Sequence, residues 1–337
     1  MRIAVDAFGG DNSPLEVLKG AEMAVKEYGV EIILCGDEEK IRAVASENKI
    51  SLENMQISHT TDVIAVEDDP AEIMRSHADC SLARALKLVS KDEADAFVSA
   101  GSTGAIVYGA SLIIKRIKGI KRAAIATVIP SDKGAFMLID AGANVICRPE
   151  MFAQFGLMGH AYMKGILNVE SPRVALLNIG AEETKGHDLE IEANQLMKKC
   201  PYNFIGNVEP RDIPMGACDV VVTDGFSGNI VLKLTEGLAK MMMSNIKNVF
   251  LKSIKTKLAY LLVKDSLGEF KSKMNYKDYG GAPLLGLAKP VIKAHGSSDA
   301  LAFKNAIRQA KEYTEANVIG TIVDGINALK EQSQEEE

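Results

Sequence analysis

Short apolar runs alternate along this chain with stretches whose apolar positions recur at helical spacing. Ile3-Ala-Val5 and Ile32–Cys35 predict strands, closed by Asp6-Ala-Phe-Gly-Gly-Asp11 and Gly36-Asp37. Ser13 and Pro14 fit the N-cap and first position of the helix between them. A charged helix follows to about Asn48, and Met55–Ser58 and Val63–Val66 read as short strands. Residues from Pro70 to Val89 read as mostly helical. Ala96-Phe-Val98 then leads through Ser99-Ala-Gly-Ser-Thr-Gly104 into a helix from Ala105 to Ile117. This β-α repetition predicts a parallel sheet with helices on both faces. From Arg122 the pattern changes: Ala123–Ile129 and Ala135–Ile139 flank Pro130-Ser-Asp-Lys-Gly134, a hairpin connection, so the sheet is mixed. A helix over Pro149–Leu167, strands at Val174–Ile179, near Phe204 and at Val220–Val222, and a helix over Leu189–Lys199 restore the alternation. Asp224-Gly-Phe-Ser-Gly-Asn229 opens a long helical region. A Gly-rich segment from Tyr279 to Gly286, strand Val291-Ile292, the turn His295–Asp299 and two helices complete the chain. The expected domain is a single α/β unit over residues 1–330, followed by an acidic disordered tail over 331–337.

The small-residue turns gain weight by position, since nearly all of them follow a strand. In an open α/β sheet the carboxyl ends of the strands surround the ligand crevice, which predicts one rim carrying Asp6–Asp11, Ser99–Gly104, Asp140–Asn144, Asn178–Lys185, Asp224–Asn229 and His295–Asp299. Within that rim, Gly101 and Gly104 would let the backbone approach a ligand. Ser102 and Thr103 can cap the helix or donate hydrogen bonds, and the helix N-terminus favours an anion such as phosphate. The turn is neither a P-loop nor a dinucleotide fingerprint.

Composition narrows the class. The 337 residues are 47% hydrophobic and 25% charged, an ordinary globular balance, and a net charge of −6 argues against nucleic acid as the main partner. Five cysteines, odd in number and without C-x-x-C spacing, read as free thiols in a reducing cytoplasm. The start MRIAVDAFGG reads as strand and turn rather than a signal peptide, and no uncharged apolar run approaches the roughly 20 residues of a membrane span. His59, His77, His160 and His187 lack metal-ligand spacing, so no metal is expected.

Candidate chemistry is correspondingly short. Lys185 places a cation in a turn with backbone donors, as a phosphate clamp or as the surface partner of Glu182 or Glu183. His295, after an apolar strand and beside Gly296, could reach a cleft as acid, base or oxyanion donor, or be structural. Asp140 and Asp224 suit magnesium, a hydroxyl or cap bonds to turn N–H groups, the last being favoured. Nothing in the sequence places a base near Cys147 or Cys218.

These turns also carry a resemblance. Asp6–Asp11, Ser99–Ala105, Asp140–Asn144, Asn178–Glu182 with Lys185-Gly186, Gly206–Glu209, Val222–Asn229, Tyr279–Ala282 and Lys293–Asp299, in order from residue 1 to about 320, resemble the bacterial acyl-ACP:phosphate acyltransferase family (PlsX). Asn12, the stretch Arg75–Ser81 and Ala123 depart from that pattern, and Arg75 and His77 are kept out of the site. The resemblance implies an isocitrate/isopropylmalate dehydrogenase-like and phosphotransacetylase-like three-layer αβα fold. It also implies acyl phosphate formation from acyl–acyl carrier protein and inorganic phosphate for phospholipid (phosphatidic acid) synthesis, without a cofactor, by a homodimer at the membrane periphery. Phosphate is then assigned to Ser99, Gly101, Ser102, Thr103 and Gly104 with Lys185. Asn229 and His295 take carbonyl polarisation or leaving-group protonation, with Asp224 orienting one of them. A coenzyme A-dependent phosphotransacetylase and a non-catalytic membrane-associated scaffold are the alternatives.

One stretch stands apart from the rim. Phe250, Leu251, Ile254, Leu258, Leu261 and Leu262 fall on one stripe at helical period, and nine lysines between Lys240 and Lys277 face only Asp265 and Glu269. Such a basic amphipathic projection (residues 240–277) suits the interface of an anionic membrane. Core, dimer interface and acyl carrier docking are its other readings, and the resemblance favours membrane contact through Phe250, Ile254, Leu258, Leu261 and Leu262.

Overall fold

The computed structural model describes residues 1–273 and 280–335. Its first half runs β1 (Arg2–Asp6), α1 (Leu15–Tyr28), β2 (Glu31–Gly36), α2 (Glu38–Glu47), β3 (Met55–His59), α3 (Ser81–Ser90), β4 (Ala96–Ser99), α4 (Thr103–Ile113), β5 (Ala124–Ser131) and β6 (Gly134–Ile139). It continues through α5 (Pro149–Ile166), β7 (Val174–Leu177), α6 (Asp188–Met197), β8 (Phe204–Val208), β9 (Val220–Val222), α7 (Gly225–Leu251), α8 (Ile254–Lys273), β10 (Ala282–Leu285), β11 (Val291–Lys293), α9 (Ala300–Glu315) and α10 (Val318–Glu335). The strands form one sheet in the order β3-β2-β1-β4-β11-β10-β5-β6-β9-β7-β8.

Its layers follow from burial on both faces. In β1, Ile3 and Val5 join the core beneath α1, α5, α9 and α10, whereas Ala4 faces α3 and α4 with Phe97 and Leu86. A strand sandwiched this way reads as a continuous apolar run, which is why these strands are legible without alternation.

The sheet corrects the single-rim expectation. The block β3-β2-β1-β4-β11 is parallel throughout, as is β6-β9-β7-β8. Between them the pairs β11–β10, β10–β5 and β5–β6 are antiparallel, so the two blocks run in opposite directions. They are also offset. Lys293 at the end of β11 sits opposite Ala282, and Ile139 at the end of β6 sits opposite Ala126, close to the Leu284–Ile125 pair. The carboxyl ends of the two blocks thus face each other at one level. There are two rims, and they meet across a cleft.

Smaller expectations change as well. Val63–Val66 is not a strand, and Pro70–Val89 divides into a 3₁₀ turn, Pro70–Met74, and α3. Ser13 does not cap α1, which starts at Leu15; its hydroxyl donates to the carbonyls of Phe8 and Gly10 and ties the Asp6–Asp11 turn. The Gly-rich segment contains β10, while Tyr279 lies outside the described residues. Helix α10 continues to Glu335, so 331–335 are not the expected disordered tail; Glu and Gln are good helix formers and simply extend it. Residues 336–337 lie outside the described residues.

Helix α7 is 27 residues long, about 40 Å at 1.5 Å per residue, and buries only Gly225 and Gly228. Its far half projects and packs on α8. The apolar stripe expected to be continuous is broken at Lys252-Ser253, where Ser253 and Thr256 satisfy each other's backbone N–H groups and begin a new helix. Phe250 therefore belongs to α7. It is half-buried, edge-on to Tyr260 at 5.6 Å between ring centroids. Ile254, Leu258, Leu261 and Leu262 form a stripe on α8 alone and are all exposed, Leu262 to 90%. The basic stretch beyond Lys273, to Lys277, lies outside the described residues.

Candidate active site

The first rim is set by a buried carboxylate. Asp6 Oδ1 accepts from the Ser81 hydroxyl at 2.6 Å, and Oδ2 accepts from the Ser99 hydroxyl at 2.7 Å. Ser99 Oγ in turn accepts from the Gly101 N–H at 2.9 Å. Burial raises the Asp6 pKa, and the two serine hydroxyls oppose the shift. Gly9 lies over this knot: a Cβ there would stand 2.5 Å from Asp6 Oδ2 and 2.7 Å from Gly101 N. Ser99 and Gly101 are thus committed to shaping the turn rather than free for a ligand. Gly104 does not open toward a ligand either, since its Cβ direction runs into Pro70 at 2.6 Å. Ser102 is the N-cap residue of α4 but makes no side-chain cap bond, which leaves first-turn N–H groups of α4 beside Thr103 for an outside acceptor.

The second rim repeats the logic with different residues. Asp140 Oδ1 accepts from the N–H groups of Ile125, Gly142 and Ala143, and Oδ2 from Asn144 N at 2.7 Å and Asn144 Nδ2 at 2.8 Å. Helix α7 is seated on this turn. A Cβ at Gly228 would come 1.9 Å from the Asp140 carbonyl oxygen, and one at Gly225 2.7 Å from Asn144 backbone atoms, so the Gly-Phe-Ser-Gly spacing is what lets the helix dock. Asp224 caps α7 by accepting from Phe226 N at 2.8 Å and Ser227 N at 2.9 Å. Its side chain hydrogen-bonds to neither Asn229 nor His295 and bears on Asn229 through the helix it caps. Asp224→Ala should cost about 1 kcal/mol of stability, read as a lowered Tm, with a smaller loss of turnover than truncating a residue inside the cleft.

A cleft of about 350 Å³ joins the rims. The first contributes Thr103, Lys293 and His295; the second contributes Ala141, Gly142 and Asn229; Thr127 of β5 and Lys233 and Glu236 of α7 add further polar groups. Asn229 stands against Gly142, and its carboxamide has no hydrogen bond within the described residues. His295 Nδ1 accepts from the Ser297 backbone N–H at 3.2 Å, with the Ser297 hydroxyl 2.9 Å away. A backbone N–H can only donate, so the neutral ring carries its proton on Nε2. Burial, then the Lys293 charge, lowers the His295 pKa, which favours that neutral donor form.

Lys293 was not among the candidates from sequence. Burial holds its ammonium below the usual lysine range, while Glu236 opposes the shift and Lys233 adds to it. The available signal was a lysine ending the apolar strand Val291-Ile292, with no acidic residue nearer along the following chain than Asp299. Lys185, in contrast, is exposed on a turn pinned by Asn178 Nδ2 donating to its carbonyl, and it does not line the cleft. Of the two surface partners expected for it, Glu183 pairs instead with Lys198 at 2.5 Å. The cleft therefore unites Thr103, Asn229 and His295 and leaves Lys185 and Asp224 outside.

No thiol is poised for attack. Burial pushes Cys147 and Cys218 each up to about 12 and Cys80 to about 11. Among the described residues no cluster of three His, Cys, Asp or Glu side chains could hold a metal, and no helix is long and apolar enough to cross a membrane.

Solved structures share this architecture. A phosphotransacetylase from Streptococcus pyogenes superposes with a TM-score of 0.65 at 19% identity, covering 95% of this chain and 94% of that one. The 4-hydroxythreonine-4-phosphate dehydrogenase of Klebsiella pneumoniae does so at 0.52 and 12% identity, over 93% and 98%. The chain has the α/β fold that phosphotransacetylases and such dehydrogenases share. A family model described as fatty acid synthesis protein matches residues 1–321, and the phosphate acyltransferase of Alkaliphilus oremlandii is 46% identical over 329 residues, 98% of each chain. The chain belongs to this family, that of the phosphate acyltransferases.

Proposed function

We propose that this enzyme transfers the acyl group of an acyl–acyl carrier protein thioester to inorganic phosphate, making acyl phosphate for phospholipid synthesis. The observation that carries the reading is a cleft holding a desolvated lysine and uncommitted hydrogen-bond donors but no activated nucleophile of its own. Such a site suits a reaction whose nucleophile arrives with the substrate. A phosphate oxygen adds to the thioester carbonyl, the tetrahedral oxyanion collapses, the C–S bond breaks, and the electron pair leaves on sulfur. Lys293, with Thr103 and the first turn of α4, holds phosphate in line; His295 Nε2–H and the Asn229 carboxamide stabilise the oxyanion. A thiol of ordinary pKa near 8.5 is a good leaving group, so a neutral hydrogen-bond donor suffices at sulfur. Ser99 and Gly101 support the turn, and Lys185 takes no direct role.

The test is phosphate-dependent thiol release by the purified protein, with acyl phosphate trapped as the hydroxamate. Faster release from acyl–acyl carrier protein than from acyl-coenzyme A supports the donor. Release from acyl-coenzyme A alone would replace it, and release from neither would remove the activity.

The helical pair α7–α8 supports a peripheral, cytoplasmic-side membrane contact by a homodimer. The stripe Ile254, Leu258, Leu261 and Leu262 is exposed among Lys252, Lys255, Lys257 and Lys264, the pattern of an interfacial helix on anionic lipid. Phe250, edge-on to Tyr260, braces the pair rather than reaching outward. Nearer the sheet, exposed Ile230, Leu234, Leu238 and Met241 form a second stripe on α7 that a second copy would cover. Leu258→Glu is expected to abolish flotation with anionic vesicles while the dimer and turnover of soluble acyl carrier substrate persist. A monomeric variant with wild-type flotation would assign the α8 stripe to the subunit interface instead.

A further inference from the structure

The cleft has an apolar extension that the chemistry at phosphate does not use. A second cavity of about 60 Å³ shares Thr127, Leu232 and Glu236 with the cleft and continues between Ile129 and Pro130 of β5 and Thr235 and Ala239 of α7. The two form one path by simple periodicity. Thr127 and Ile129 lie two apart on a strand and share a face, while Leu232, Thr235 and Ala239 lie three and four apart on a helix and share another. From Leu232 to Ala239 the path advances about 10 Å along α7. Toward its far end the path is short of free polar groups: the Thr235 hydroxyl donates to the Val231 carbonyl at 2.8 Å, and Pro130 has no N–H. Glu236 stays at the junction, where its charge acts on Lys293 and His295. The far end, at Ala239, lies toward the half of α7 that packs on α8.

Resting on the acyl-transfer reading above, we infer that this groove holds the hydrocarbon chain of the acyl donor. The thioester lies in the cleft by Asn229 and His295, and the chain runs between β5 and α7 toward the projecting helices. Ala239 is then a specificity-determining residue, since its small side chain leaves the far end open to long chains.

Two measurements test this. Ala239→Phe should close the far end and lower the ratio of kcat/KM for palmitoyl over octanoyl donors by about tenfold or more, the scale of losing a few buried methylenes. An unchanged ratio in a folded, active variant overturns the assignment. Independently of turnover, a palmitoyl thioester with a terminal photoreactive diazirine should label wild-type peptides containing Thr127–Pro130 or Leu232–Ala239. Labelling confined to other peptides overturns the groove even if Ala239→Phe fails to fold. Should wild type release no thiol from any donor, the reaction assigned above fails by itself, and the labelling pattern still decides the groove.

Discussion

His295→Ala should lower kcat by about 10²-fold or more, with the protein folded and phosphate binding little changed. The histidine sits outside the core, so truncation leaves no cavity in the sheet; what disappears is the Nε2–H donor fixed by the Ser297 N–H on the opposite nitrogen. The pH profile carries the sign. Burial and the neighbouring Lys293 charge lower the histidine pKa, so the neutral donor form dominates at neutral pH and is lost only as pH falls below the usual histidine range. Protonation would also place a hydrogen on Nδ1 against the Ser297 N–H. Activity should therefore fall on the acid side, with a histidine contribution that Asn229→Ala retains and His295→Ala lacks. A loss of turnover under about threefold would make His295 structural.

Lys293→Met should reduce kcat/KM for phosphate by about 10²- to 10³-fold, the scale of removing one preorganised electrostatic donor from a water-poor site. Methionine keeps the length and the apolar stem, so the change isolates the charge. Because burial lowers the lysine pKa, wild type should lose activity as pH rises through a value below the ordinary lysine range. Lys293→Arg keeps a charge at every accessible pH and should move that alkaline limb upward, even if its broader head group turns over slowly. If Lys293→Met leaves the phosphate KM unchanged while Lys185→Met raises it, the phosphate site belongs to the turn after β7.

Much of the fold was legible because the parallel strands are buried on both faces and appear as plain apolar runs, as in Ile32–Cys35 and Ala96–Val98. The hairpin β5–β6 was legible from its turn residues. Strand β10 was not, since Ala-Pro-Leu-Leu after two glycines carries weak strand propensity and owes its extended form to pairing with Ile292 on one side and, far away in sequence, Ile125 on the other. Without β10 the opposed direction of the blocks could not be inferred, and the turns were assigned to one rim. The site divides the same way. Asn229 and His295 stood out in the sequence as polar residues in turns after strands, whereas Lys293 lies within a strand and gains its character from burial. Gly101 and Gly104 could not be resolved from sequence because small residues admit a ligand and a packed neighbour equally well; their Cβ directions here meet the Ser99 hydroxyl and Pro70.

Strand β10 also has a mechanical consequence. Among the described residues the sheet pairing that joins the two parallel blocks runs through it, Ala282 and Pro283 holding β11 while Leu284 and Leu285 hold β5. Each block carries its own internally braced half-site, knotted around Asp6 on one side and Asp140 on the other. The register of these four residues therefore sets how Asn229 on one block stands relative to His295 on the other. Alignment between the half-sites thus rests on the pairings of four residues of which Ala282 alone lines the cleft.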